Sequence, residues 1–160
     1  MTDREAALVA LDGAIKFESD GRDFYLGAAE QVADPLSKAV FTALADDEAD
    51  HVKRVREIYE ELKTRAGWPS VELMVARQSG VVDAFERASV HVASSVPSTA
   101  TAQQALATAA EMERRGLAFY RERLSKASCP AEAEFFRRLV SEEEIHLATI
   151  AKMMRSAEVS

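Results

Sequence analysis

Ala14-Ile-Lys-Phe17-Glu18-Ser-Asp-Gly21-Arg-Asp-Phe-Tyr25 carries the key to the architecture, because it returns as Ala109-Ala-Glu-Met112-Glu113-Arg-Arg-Gly116-Leu-Ala-Phe-Tyr120. After the first copy comes Glu48-Ala-Asp-His51, and after the second comes Glu143-Glu-Ile-His146. One offset of 95 joins them, since 113 − 18, 143 − 48 and 146 − 51 are equal. Leu11/Leu106, Pro35/Pro130, Phe41/Phe136 and Leu44/Leu139 keep the same offset. An offset held over so long a span, turn proline included, marks a duplicated helical hairpin. Each half carries one Glu, then Glu-x-x-His. Four-helix bundles that hold two metal ions use this donor set: a Glu from each of two helices and a Glu-x-x-His from each of the other two.

Around these residues the chain reads as four long helices. The first spans about Asp3 to Val32 and the second Pro35 to about Arg65, with Asp34 as N-cap and Pro35 in the first turn. The second stops at Gly67-Trp68-Pro69, a helix breaker and an anchor for the connector. The third runs from Ser98 or Thr99 to about Lys126, and Pro130 starts a fourth that reaches about Ser156. The chain is thus one domain over 1–160, with hairpins at 3–65 and 99–157 and a connector at 66–98. A short helix is expected in the connector over Val81 to Val92, ended by Ser94-Ser-Val-Pro97. A connector of this length suits a crossover along the bundle, with the hairpins related by a two-fold axis.

Apolar residues recur at helical spacing, and the ionisable residues fall inside those stripes rather than opposite them. The second helix shows Phe41, Leu44, Glu48, His51, Val55; the fourth shows Phe136, Leu139, Glu143, His146, Ile150. Glu18 lies 16 residues before the Asp34 corner (34 − 18), and His51 lies 16 after Pro35 (51 − 35). At 1.5 Å per residue, Glu18, Glu48 and His51 are level, roughly 20–24 Å from the corner. Glu113, Glu143 and His146 obey the same arithmetic about Pro130. Pairing the hairpins therefore brings four carboxylates and two imidazoles together at mid-bundle. Four ionised carboxylates in an apolar interior would cost several kcal/mol each unless protons or cations neutralise them. Two divalent ions balance four carboxylates, and a thiolate-free set of carboxylate and imidazole favours iron or manganese.

Tyr25 and Tyr120 follow their Glu residues by two turns. Each either packs the core or hydrogen-bonds a ligand carboxylate. Gly21 and Gly116 either leave space beside the metals or allow a close helix crossing. Glu111, Glu142 and Glu144 adjoin ligands in sequence but point elsewhere on their helices. His91, in the connector, has no repeat partner and reads as structural. Cys129 lies 16 residues from Glu113 (129 − 113), too far to be a ligand.

Composition narrows the class. Of 160 residues, 48% are hydrophobic and 29% charged, which is globular. A net charge of −7 argues against nucleic acid or an anionic membrane as partner. The single cysteine excludes an internal disulfide and any Cys-x-x-Cys metal pair. The opening Met-Thr-Asp-Arg-Glu lacks the basic start and apolar run of a signal peptide, so a cytoplasmic location is expected. The uncharged run Ala88 to Ala110 is too rich in Ser, Thr and Gln to span a membrane.

Ala-Ile-Lys-Phe-Glu18-x-x-Gly-x-x-Phe-Tyr25 and Glu111-Met-Glu113-x-x-Gly-x-x-Phe-Tyr120 resemble the rubrerythrin-like branch of the ferritin-like superfamily. The likeness covers both hairpins. It implies an all-α ferritin-like four-helix bundle with two iron ions per chain, manganese or a mixed pair being the alternative. It further implies a di-iron oxidoreductase, peroxidase- or ferroxidase-like, that reacts with hydrogen peroxide or dioxygen. A full rubrerythrin adds a rubredoxin domain, for which this sequence has no Cys pairs, so an external donor such as a separate rubredoxin is expected. Rubrerythrins also carry an extra Glu where Gly116 stands, and the six-ligand set is closer to that of a bacterioferritin. Iron storage or delivery by ferroxidase action, and non-catalytic metal binding, therefore stay open. A homo-oligomer, a dimer foremost, is the expected assembly.

Overall fold

The computed structural model describes residues 1–65, 67–69, 79–91 and 100–159, with the backbone alone at 89–91, 100 and 156–159. These residues form five helices: α1 (Asp3–Gln31), α2 (Pro35–Thr64), α3 (Val81–His91), α4 (Ala100–Ser125) and α5 (Pro130–Val159). No strand occurs among them. The molecule is an all-α, ferritin-like bundle.

Local chemistry sets the helix ends. Thr2 and Glu5 form a reciprocal capping box at the start of α1. Asp34 sits in extended backbone, and its side chain accepts from the Ser37 amide at 2.8 Å to open α2. The α4–α5 corner is closed differently: Glu132 reaches back to accept from the Ser128 amide at 2.8 Å and hydroxyl at 2.7 Å. Trp68 packs on Phe135 and Phe136, with ring centroids 5.7 and 6.1 Å away. The residue that ends the first hairpin thus leans on the second.

Helix α1 pairs with α2 and α4 with α5, while α3 lies against α2 and α5. The apolar core forms two layers. One contains Tyr25, Phe41, Leu44, Leu106 and Ile150; the other contains Leu11, Val55, Tyr120, Phe136 and Leu139. The layers repeat the 95-residue offset: the Tyr25 and Phe41 rings lie 6.1 Å apart, and the Tyr120 and Phe136 rings 6.2 Å apart. Each buried ring contributes about 1.5–3 kcal/mol by leaving water. A polar layer sits between these two apolar ones.

Of the crossover expected at 66–98, residues 66, 70–78 and 92–98 lie outside the described residues. The helix start at Ser98 or Thr99, the stop at Ser94 to Pro97 and the side chain of His91 also lie outside them. The connector helix stands where the sequence places it and is described as far as His91.

Candidate metal centre

Helix periodicity delivers six titratable side chains to the polar layer. Exposure decides between a solvated face and an interior site: Glu18 is 0% exposed, Glu48 3%, His51 2%, Glu113 2%, Glu143 0% and His146 0%. Oxygen and nitrogen atoms of Glu18, Glu48, His51 and Glu143 lie within 4.8 Å of one another, and so do those of Glu48, Glu113, Glu143 and His146. Glu48 and Glu143 belong to both groups. The cluster thus has the form of two adjacent cation positions with shared carboxylates between them.

Several of these atoms have no hydrogen-bond partner although they are buried: Glu48 Oε2, Glu113 Oε2, both Glu143 oxygens and His146 Nδ1. An orphaned buried oxygen or ring nitrogen is costly in a folded chain. These atoms belong to residues of the two groups above, and a pair of cations would satisfy them together. The donor set, oxygen and imidazole without sulfur, suits hard or borderline divalent metals. The residues therefore fit a dimetal centre.

Both imidazoles turn Nδ1 inward. His51 Nδ1 lies 3.2 Å from Glu18 Oε2 and 3.3 Å from Glu48 Oε2. His146 Nδ1 lies 3.5 Å from both Glu48 Oε1 and Glu113 Oε1. The rings stack at 5.6 Å between centroids. Their outward nitrogens are held by carboxylates of the opposite hairpin. His51 Nε2 meets Glu142 Oε2 at 2.5 Å, and His146 Nε2 meets Asp47 Oδ2 at 3.0 Å. Such a partner fixes the tautomer and ring angle of a metal-binding histidine and raises its basicity.

Glu142 corrects the sequence reading. It does point away from the carboxylate cluster, but it returns to the site behind His51. Glu111 and Glu144 do lie apart, paired with Arg115 and Arg121. Asp47 escaped the sequence reading as well. A signal for both was present: 142 − 47 is again 95, an acidic residue directly before each Glu-x-x-His. The two outer carboxylates then diverge. Arg54 Nη2 donates to Glu142 Oε2 at 2.7 Å, whereas Asp47 accepts from Ser79 Oγ and from the Gly80 amide at 3.2 Å, at the start of α3.

The tyrosines act across the repeat as well. Tyr25 Oη donates to Glu113 Oε1 at 2.5 Å, and Tyr120 Oη donates to Glu18 Oε1. Each phenol thus steadies the glutamate of the other hairpin. The glycines differ. A Cβ at Gly116 would lie 2.6 Å from Phe17 Cε1, so any larger residue there must displace the Phe17 ring. A Cβ at Gly21 would meet Met112 Cε and Glu48 Cδ at 3.7 and 3.8 Å, ordinary van der Waals contact, so a methyl group fits there.

Electrostatics in the metal-free cluster divide the carboxylates into two pairs. Burial and the neighbouring Glu18 charge raise Glu48 to about 8. Burial, then Glu113 and Glu18, push Glu143 well above the carboxylate range. Burial also opposes ionisation of Glu18, but the His51 charge and hydrogen bonds bring it down to about 2. For Glu113, burial is likewise outweighed by His146 and its hydrogen bonds, and it is lowered. Burial alone would lower both histidines; Glu18 with Glu142 raises His51, and Glu113 with Asp47 raises His146. Without metal, Glu48, Glu143 and the two histidines therefore favour their protonated forms.

A family model described as Rubrerythrin matches residues 10–154. No curated protein and no solved structure matches the chain. No helix among the described residues is long and apolar enough to cross a membrane.

Proposed function

Because the chain belongs to the rubrerythrin family and carries its ferritin-like di-iron domain, we propose that it is a non-haem di-iron oxidoreductase that reduces hydrogen peroxide with electrons from an external donor. The observation that carries this reading is the convergence of orphaned carboxylate and imidazole atoms in a fully buried layer. Glu18 and His51 would hold one ion, and Glu113 and His146 the other. Glu48 and Glu143, common to both groups, would bridge them. Two ferrous ions, when bound, supply one electron each for cleavage of the peroxide O–O bond.

The chain's own residues do the rest. Glu142 and Asp47 keep each imidazole presented through Nδ1. Tyr25 and Tyr120 hold one oxygen of Glu113 and of Glu18, leaving the other oxygen of each to a metal. The apolar layers above and below exclude bulk water. Conversion of hydrogen peroxide to two waters takes two electrons and two protons, and a separate reductant such as a rubredoxin restores the electrons.

One observation favours a second reading, oxidation of iron for storage or delivery. Gly116 stands where rubrerythrins carry an extra glutamate, and the Phe17 ring fills that place. Stopped-flow mixing of anaerobic, ferrous-loaded protein separates the two. The first reading expects faster oxidation by peroxide than by dioxygen at matched concentration, with many turnovers when donor is present. Faster oxidation by dioxygen, with uptake well beyond two irons per chain into a large particle, would replace it with the second.

A further inference from the structure

The carboxylates behind the two imidazoles share a register, yet different parts of the chain hold them. Glu142 is held from within the bundle, by the buried Arg54 of α2 at 2.7 Å. Asp47 is held by the connector: Oδ2 accepts from the Ser79 hydroxyl, and Oδ1 from the Gly80 amide at 3.2 Å. The same Oδ2 lies 3.0 Å from His146 Nε2, and Asp47 is 2% exposed. Gly80 opens α3, since its carbonyl accepts from the Ala84 amide at 2.9 Å. Val81, the first residue of α3, is fully buried in the layer that contains Phe41, Leu106 and Ile150. Asp47 therefore meets the amino end of α3, where the helix dipole favours a negative charge. One carboxylate thus joins α2, the start of α3 and a metal-binding residue of α5. We propose that α3 is a clasp on one of the two metal positions: Ser79 and Gly80, by holding Asp47, position His146 for its ion, and an ion on His146 in turn holds α3 against the bundle. The inference rests on the dimetal centre above and not on the reaction assigned to it. Such coupling is reciprocal, so lifting α3 weakens the His146 position by the same factor by which an ion there tightens α3. The His51 position, backed by Glu142 and Arg54, is spared.

The test uses the full chain with cobalt(II) as probe, in chelator competition that resolves two affinities. Ser79→Ala removes a hydroxyl at a half-buried position and leaves the Gly80 amide in place, so the variant should fold. It should weaken one affinity several-fold and leave the other unchanged. Combined with Asp47→Ala it should add nothing, because the hydroxyl acts through that carboxylate. Combined with Glu142→Ala, the two losses should fall on different ions. Hydrogen exchange gives a second readout that does not depend on affinity. Loading with two cobalt ions should slow exchange of the α3 amides several-fold in the unmodified chain, and by less in Ser79→Ala. Both affinities unchanged in Ser79→Ala, equal weakening of both, or α3 amides indifferent to cobalt in the unmodified chain overturns the clasp while leaving the dimetal centre standing. An unmodified chain that binds no cobalt overturns both.

Discussion

Among single residues, a carboxylate serves this site in two ways, and position within the helical turn separates them. Glu48 and Glu143 project into the cluster; Asp47 and Glu142, one residue earlier, project from their helix to the back of the other hairpin's imidazole. The outer pair cannot touch a cation, yet it sets how strongly each Nδ1 binds one. Loss of a carboxylate behind a metal-bound histidine weakens metal affinity by about 10- to 100-fold. Glu142→Ala and Asp47→Ala should each lower affinity for one of the two ions by that order and spare the other. Competition against a chelator with cobalt(II) as probe reads this, and two affinities both unchanged would remove the outer pair from the argument. Arg54 makes Glu142 the more sensitive position for folding, because its guanidinium is itself buried and would lose its 2.7 Å partner.

Among the helices, the limits of α1 and α2 come from side chains that the sequence displays openly. The Thr2-x-x-Glu5 box and the Asp34-Pro35 corner are chemical signals, and the structure uses both. Asp34 is 4% exposed and holds the first turn of α2. Asp34→Ala should destabilise the protein by about 1 kcal/mol. A thermal melt with unchanged midpoint would show that Pro35 alone suffices to start the helix. The α4–α5 corner is less legible, because its cap comes from Glu132, inside the helix, rather than from a residue before it. Docking of α3 is not legible at all. Its start is tied to Asp47, an interaction between residues 32 and 33 positions apart that no local pattern announces.

Across the whole molecule, the cluster makes stability depend on pH and on metal in opposite senses. Glu48 and Glu143 have folded values above their unfolded ones, and so do His51 and His146. A group raised on folding stabilises fully below its unfolded value, and that gain is lost as pH rises through the folded value. For Glu48 the window runs from about 8 downward towards 4.5. The histidines gain in the same direction, so they reinforce the carboxylates. Glu18 and Glu113 are lowered, and their contribution disappears only as pH falls below 4.5. Metal-free protein should therefore melt higher at pH 5.5 than at pH 8, and lose stability in stronger acid. Equal melting temperatures at the two values would contradict a buried cluster. Metal must displace these protons, so binding of two divalent ions near pH 7 should release close to four, one from each raised group. Calorimetry in buffers of different ionisation heat measures the number, and release near zero would mean that the cluster is already ionised.

The bundle, the duplication and the six residues at its centre are all legible in the linear chain. Helical period and a single offset are one-dimensional properties, and both survive without coordinates. Glu18, Glu48, His51, Glu113, Glu143 and His146 could be found because each sits inside an apolar stripe, where a charge has no reason to be without a partner. How the copies serve one another emerges only when the hairpins pack. Tyr25 holds Glu113 and Tyr120 holds Glu18; Glu142 backs His51 and Asp47 backs His146. Every one of these contacts crosses between hairpins. The repeat fixes what each hairpin contains, but which face of one meets which residue of the other depends on packing between helices distant in sequence. The same holds for the two glycines, identical in register and different in surroundings, because a phenylalanine ring crowds a Cβ at Gly116 and a thioether would only touch one at Gly21.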